Sequence, residues 1–159
     1  MGRIIAIANQ KGGVGKTTTA INLSACLAEA KQRVLVIDKE EKENTIYEVM
    51  LGEISIEQAI CKEAFDCLDV IPSNVNLAGA EIDLIDIEDR EYILKKSIAQ
   101  IRKNYDYIIL DCPPSLSMLT VNAMTAADTV LVPIQREKLR IHRLQRPQRQ
   151  SGNLSFRRI

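Results

Sequence analysis

An α/β fold, with a mostly parallel sheet and helices on both faces, is predicted by three features of the sequence. The chain of 159 residues is 46% hydrophobic and 26% charged, which is the composition of an ordinary globular domain. Its short apolar runs are continuous rather than alternating, as is typical of parallel strands buried on both faces. Helical stretches separate these runs, so the order of elements is βαβα throughout.

Five apolar runs are predicted to form the strands of the sheet. They lie at residues 4–8, 34–37, 68–71, 107–110 and 130–132. Helices are predicted between them, at 16–30, 90–103 and 116–127, with two short helices across 46–60. No internal repeat or low-complexity linker interrupts residues 1–135, so we expect a single domain over that span.

The composition excludes several classes of protein. No apolar run approaches the ~20 residues that a membrane-spanning helix needs. The first residues also lack the long apolar stretch and the cleavage site of a secretory signal, so we expect a cytoplasmic protein. The four cysteines lack the paired spacing of a zinc site and are sparse for a disulfide scaffold. Reduced thiols are therefore expected.

A glycine-rich loop lies between the first predicted strand and the first predicted helix. Its three glycines allow backbone N–H groups to turn inward around an anion, and the following helix points its positive end at the same place. Lys16 is placed to contact the β- and γ-phosphates of a nucleotide, and the Thr17 hydroxyl is placed to ligate Mg²⁺. The predicted nucleotide-binding residues are consecutive: Lys11, Gly12, Gly13, Val14, Gly15, Lys16, Thr17 and Thr18.

Two aspartates end predicted strands. Asp111 directly follows the run 107–110, and Asp38 directly follows the run 34–37. Open α/β sheets bind their ligands at the carboxyl ends of the strands. We expect Asp111 to orient water molecules of a bound Mg²⁺ ion, with Asp38 as a further candidate for the same role. The alternative for Asp111 is an aspartate that only caps a turn.

The loop departs from the general phosphate-loop pattern, since Gln10 stands where that pattern has glycine and a lysine follows it. This deviant Walker A sequence, KGGVGKTT, resembles the ParA/MinD family of P-loop ATPases. Four further segments resemble the ParA/Soj branch of that family. They are VLVID at 34–38, IPSNVNLAGAEIDL at 71–84, YDYIILDCPPSLS at 105–117 and TVNAMTAADTVLVPIQ at 120–135.

The resemblance implies a P-loop NTPase fold and Mg²⁺-dependent ATP hydrolysis coupled to an ATP-dependent homodimer. In that family the lysine matched by Lys11 reaches the phosphates of the partner subunit and neutralises charge on the transferred phosphoryl group. The resemblance also implies a ParB-like partner, nonspecific DNA binding, association with the nucleoid, and a role in chromosome or plasmid partitioning. The choice of ATP over GTP stays open, because no base-reading segment is present.

The segment after Asp38 departs from the family. Glu40 stands where the family has a second aspartate that positions the attacking water, and residues 41–43 replace a Pro-Gln-Gly turn. A glutamate side chain is one methylene longer, and catalysis is sensitive to shifts of about 1 Å. We therefore expect nucleotide binding to be intact and hydrolysis to be slowed. The alternative is that 40–43 is only a solvated loop.

Residues 136–159 are a second departure from the family. They hold eight Lys or Arg residues and one acid, Glu137, which places a charge near +7 after a segment near −7. We expect a partial ATPase domain that lacks its C-terminal strands, followed by a disordered and unrelated tail of the kind that a frameshift creates. His142 is expected to be exposed, without a metal or catalytic partner. The alternatives for the tail are nonspecific DNA binding by its arginines and a membrane-contacting pair, Ile141 and Leu144.

Three hypotheses for function follow from these observations. The first is a partitioning ATPase, which the segments from 71 to 135 favour. The second is an ATPase that cycles on and off a membrane, as MinD-like relatives do. The third is a nucleotide-binding remnant without a productive hydrolysis cycle, which the departure after residue 135 favours.

Overall fold

A computed structural model of the chain describes residues 1–38, 44–73, 83–85, 87–115 and 117–134. Glu40, His142 and the predicted domain boundary at 135–136 lie outside the described residues. Within them, six strands form one sheet. In chain order the strands are β1 (Arg3–Ile7), β2 (Val34–Asp38), β3 (Cys61–Phe65), β4 (Leu68–Pro72), β5 (Tyr107–Asp111) and β6 (Thr129–Leu131).

The described helices lie between these strands, except that β3 and β4 are joined directly. They are α1 (Lys16–Glu29), α2 (Ile46–Leu51), α3 (Ile56–Ala59), α4 (Ile93–Ile101) and α5 (Met118–Ala126). Short 3₁₀ turns, Arg90–Tyr92 and Arg102–Asn104, flank α4 on its two sides. Among the described residues, no helix combines the length and the hydrophobicity that crossing a bilayer requires.

The sheet is mostly parallel, as predicted. Its strand order is β3-β4-β2-β5-β1-β6, and every neighbouring pair except β3-β4 is parallel. The exception is a hairpin with the two-residue turn Asp66-Cys67, in which Cys67 takes a left-handed φ of 63°. The sequence did not predict β3, the outermost strand of this hairpin.

Helices cover both faces of the sheet, which confirms the predicted layers. On one face, α1 packs on alternate strand residues such as Val36 and Ile109. The intervening strand residues, such as Leu35 and Ile108, face the other side of the sheet. There they are covered by α2, α4 and α5. The central strands are therefore buried from both sides, which is why their sequences are continuous apolar runs.

The parallel register places three loops at one edge of the sheet. Ile7 at the end of β1 lies opposite Asp111 at the end of β5, and Ile37 lies opposite Leu110. Because β5 lies between β1 and β2, the segments that leave the carboxyl ends of these strands meet there. The glycine loop, Asp111 and Asp38 are thereby brought to one place, where open α/β sheets bind ligands.

A buried amide joins α5 to the start of α4. Asn122 is 0% exposed, its Oδ1 accepts from Leu94 N at 3.1 Å, and its Nδ2 donates to Arg90 O at 2.8 Å and Met118 O at 3.0 Å. Leu94 lies in the first turn of α4, where backbone N–H groups have no partner within the helix. The side chain of Asn122 supplies that missing acceptor from a neighbouring helix.

We expect Asn122→Ala to lower the free energy of unfolding by about 2–4 kcal/mol, because it leaves buried backbone groups without partners. Urea denaturation followed by circular dichroism measures this change. Asn104→Ala, at an exposed position at the end of a 3₁₀ turn, is the control and should change stability by less than about 0.5 kcal/mol. Equal unfolding midpoints for the two variants would contradict the role given to Asn122.

Candidate functional site

The glycine loop leaves β1 and returns into α1 through two left-handed residues. Gly13 has φ 72° and Gly15 has φ 86°, and a Cβ atom built at either position, or at Gly12, would meet nothing within 4 Å. Open space therefore lies beside the loop backbone. Gly15 is also the N-cap of α1, where no side chain accepts a hydrogen bond and the first turn holds no acid. The positive end of this helix is left available for an anion.

Lys16 is the buried cation of the loop. Lys16 is only 7% exposed, and its Nζ donates to the backbone oxygen of Lys11 at 3.1 Å. A buried ammonium is costly unless its donors find acceptors. Since Nζ has three donors, this geometry leaves it able to bind further oxygen atoms at the mouth of the loop, such as those of a phosphate group.

Thr17 and Asp111 meet although they lie 94 residues apart in the chain. The Thr17 hydroxyl donates to Asp111 Oδ2 at 2.5 Å, while Asp111 Oδ1 is buried and has no hydrogen-bond partner within the described part of the chain. Burial raises the pKa of Asp111 to about 6, and the negative charge of Asp38 adds to the rise. The Thr17 hydroxyl and the Lys16 ammonium oppose it by lowering the same pKa.

A magnesium ion fits this group of atoms. The buried Asp111 oxygen without a partner, the Thr17 hydroxyl and the nearby Asp38 carboxylate are the hard oxygen donors that Mg²⁺ prefers. The described residues contain no cluster of three or more His, Cys, Asp or Glu side chains that could hold a metal without help. Phosphate oxygens and water would have to complete the coordination, which is the usual mode of Mg²⁺ binding.

Cys112, which directly follows Asp111, is not a reactive thiolate. The structure places none of the four cysteines in a disulfide, and burial is the main cause that raises the pKa of Cys112 to about 12. Asp111 next to it raises that pKa further. Cys112 therefore stays protonated at neutral pH and acts as a small apolar residue beside Asp111.

The structure places the predicted site residues as follows. Val14 and Lys16 are buried, whereas Lys11, Gly12, Gly13, Thr17 and Thr18 are exposed. Asp38 and Asp111 lie at the adjoining strand ends, and Glu40 lies outside the described residues. Sequence reasoning missed Asn9, whose side chain bonds both to the loop and to the segment after β6. Its position two residues before Lys11, suited to an Asx turn, was the one signal for it.

Comparison with known proteins places this chain in a family. The model of the AAA domain family matches residues 2–148. The sporulation initiation inhibitor protein Soj of Bacillus subtilis is 46% identical over 86% of this chain and 60% of its own length. The chain spans less than two thirds of the length of the curated relatives it matches.

Solved structures agree with this placement. Cobyrinic acid a,c-diamide synthase from Mycobacterium smegmatis, with bound ATP analog and magnesium, is 39% identical with a TM-score of 0.81, covering 90% of this chain and 64% of that one. A plasmid partition protein from Borrelia burgdorferi is 32% identical with a TM-score of 0.79, covering 87% and 68%. The glycine loop, the parallel sheet and these likenesses show that the chain belongs to the AAA domain family and, within it, to the ParA/Soj family of P-loop proteins.

Proposed function

We propose that this chain binds Mg-ATP, hydrolyses it, and acts in chromosome or plasmid partitioning. The observation that carries the proposal is the buried ammonium of Lys16 inside an open glycine loop, next to the Thr17–Asp111 hydrogen bond. This arrangement offers N–H donors and a cation to phosphate oxygens, with oxygen donors beside them for a metal ion. The partitioning role is supported by the names of the relatives, Soj and a plasmid partition protein.

Each residue of the site has a part in the proposed reaction. The amides of residues 12–16 would donate hydrogen bonds to phosphate oxygens, and Lys16 would neutralise charge on the β- and γ-phosphates. Thr17 would ligate Mg²⁺, and Asp111 would hold a water of its shell, with Asp38 as a second such carboxylate. When bound, Mg²⁺ would neutralise the phosphate charge that develops during transfer.

Two further residues complete the proposal. Lys11 is exposed, and in an ATP-dependent homodimer its ammonium would contact the phosphates bound to the second subunit. Glu40 would orient the attacking water. A ParB-like protein and nonspecific DNA on the nucleoid are the proposed partners, and they rest on the resemblance to the ParA/Soj family.

DNA retention with and without nucleotide tests this function. Purified protein is passed over immobilised duplex DNA of mixed sequence in a salt series, with Mg-ATP, with Mg-ADP, and without nucleotide. We expect Mg-ATP to increase retention and rising salt to release the protein, since nonspecific binding is mainly electrostatic. Retention that depends on salt but not on nucleotide would refute the partitioning function and leave a nucleotide-binding remnant with a basic segment. Mg-ATP-dependent binding to lipid vesicles without DNA retention would favour the MinD-like alternative.

Glu40→Asp is expected to raise ATP turnover by about tenfold or more while the affinity for Mg-ATP stays the same. The shorter side chain moves the carboxylate towards the position that the family uses, and a misplacement of about 1 Å can cost about 100-fold. Phosphate release under saturating Mg-ATP measures turnover, and a nucleotide titration measures affinity. The matched control is Glu43→Asp, which makes the same chemical change three residues later. If both variants turn over ATP at the wild-type rate, Glu40 does not position the water.

A further inference from the structure

The side chain of Asn9 bridges two segments that are far apart in the chain. Its Oδ1 accepts from the backbone N–H of Lys11 at 2.9 Å, and its Nδ2 donates to the backbone oxygen of Pro133 at 2.9 Å. One partner is a donor and the other is an acceptor, so the two bonds together fix the orientation of the amide group. Asn9 thus links the phosphate loop to the residues that follow β6.

The bond to Pro133 extends the pairing of β1 with β6 beyond the end of the strands. The last backbone bond of this pair runs from Ala8 N to Leu131 O at 3.1 Å. A parallel ladder repeats every two residues, so the next acceptor on the β6 side is the oxygen of Pro133. Asn9 donates to that oxygen from its side chain, which allows the backbone to leave the strand direction at Gln10 and still remain anchored to the sheet.

The bond to Lys11 connects Asn9 to the buried ammonium of Lys16. Asn9 Oδ1 accepts from the N–H of Lys11, and the backbone oxygen of Lys11 accepts from Lys16 Nζ at 3.1 Å. Three hydrogen bonds therefore connect Pro133 to the ammonium of Lys16 through Asn9 and Lys11. Gly12 and Gly13, which follow Lys11 in the loop, have no side chains that could make a further bond of this kind.

We propose that Asn9 is a positioning residue that fixes the first half of the phosphate loop against the end of β6, and so sets where the Lys11 backbone and the Lys16 ammonium meet the phosphates. The inference rests on the proposed nucleotide binding and assigns Asn9 no contact with the ligand. Its consequence is that the residues just after β6 are coupled to phosphate affinity although they lie more than 120 residues away in the chain.

Nucleotide affinity of Asn9→Ala tests the proposal. Titration with a fluorescent methylanthraniloyl-ATP in the presence of Mg²⁺, and competition by inorganic tripolyphosphate, give affinities for the whole nucleotide and for the phosphate chain alone. We expect both affinities to fall about tenfold, the loss expected when one or two hydrogen bonds no longer hold the loop in place. Asn9→Ser should lie between wild type and Asn9→Ala, because a serine hydroxyl can accept from the N–H two residues on but cannot reach Pro133.

Asp128→Ala is the matched control at the other end of the same strand pair. The Asp128 carboxylate accepts from Ile4 N at 2.8 Å and from the Arg102 guanidinium at 2.6 Å, so it also anchors β1 to β6 by a side chain, but far from the loop. We expect Asp128→Ala to lower the melting temperature of the nucleotide-free protein and to keep wild-type affinity for both probes.

Three results would overturn the inference. Wild-type affinity in Asn9→Ala would show that the bridge does not position the loop. An equal loss of affinity in Asn9→Ala and Asp128→Ala, in proportion to their melting temperatures, would show a general structural role instead. Failure of the wild-type protein to bind either probe would overturn the proposed function together with this inference, and the first two results would leave the proposed function intact.

Discussion

Lys16→Met is expected to weaken Mg-ATP binding by about 100-fold or more and to abolish hydrolysis. The substitution keeps most of the aliphatic stem and its packing but removes the ammonium, which is buried inside the loop with one bond to the Lys11 oxygen. Charge-assisted hydrogen bonds to phosphate are about twice as strong as neutral ones and gain further in a water-poor site. A 100-fold loss corresponds to about 2.7 kcal/mol, which is within the range for removing such a partner.

Two measurements check the expectation for Lys16→Met. Titration with fluorescent nucleotide gives the affinity, and the rise in melting temperature on adding Mg-ATP reports binding without a label, since a ligand that binds only the folded state stabilises it. Lys96→Met is the control, because Lys96 is an exposed residue of α4 that pairs with Asp89 on the surface. Saturable wild-type binding by Lys16→Met would remove the central reason for assigning a nucleotide to this loop.

The layers of the fold followed from the sequence because burial on both faces leaves a clear pattern. The runs at 34–37 and 107–110 contain only apolar residues, and each lies between neighbouring strands with helices above and below. β3 was not predicted because it lacks this pattern. It is an edge strand whose sequence mixes Lys62 with apolar residues, and its turn uses Cys67 in a left-handed conformation where glycine would have been the signal.

Some residues of the candidate site could be predicted from the sequence, and others could not. Local spacing was sufficient to place Lys16 and Thr17 at the start of a helix, and the strand ends were sufficient to bring Asp111 near them. The bridge from Asn9 to Pro133 could not be predicted, since it depends on the register of two strands 124 residues apart. Asn122 was missed because a polar residue in a mainly apolar helix carries no sign of which backbone groups it will satisfy.

Asp111→Asn is expected to stabilise the nucleotide-free protein at neutral pH and to abolish stabilisation by Mg-ATP. In the folded protein the pKa of Asp111 is raised from 3.8 to about 6, chiefly by burial and then by the charge of Asp38. The folded state therefore binds more protons than the unfolded state between these values, and stability falls as pH rises from about 4 to about 6. Above pH 6 the ionised carboxylate is a net cost, which the asparagine removes.

Two pKa units correspond to about 2.7 kcal/mol, and solvent screening of this partly exposed group reduces the expected gain to about 1 kcal/mol. Urea unfolding at pH 8 and pH 5 measures this gain in the free energy of unfolding. We expect the gain of the variant over wild type to be smaller at pH 5 than at pH 8. Asp106→Asn is the control of opposite sign, because the hydrogen bond from Arg33 lowers the pKa of Asp106 and its loss should destabilise the protein at pH 8.

Asp111→Asn is a decisive test because it is expected to raise the stability of the nucleotide-free protein and to remove the stabilisation by Mg-ATP. A substitution that only damages the fold would lower both the stability of the nucleotide-free protein and the stabilisation by Mg-ATP. A carboxylate kept at a buried strand end for a cation should instead cost stability until that cation arrives, because burial and the neighbouring Asp38 both disfavour its charged form. If Asp111→Asn destabilises the protein at pH 8 or still gains the wild-type rise in melting temperature from Mg-ATP, Asp111 is a capping residue and the metal site lies elsewhere.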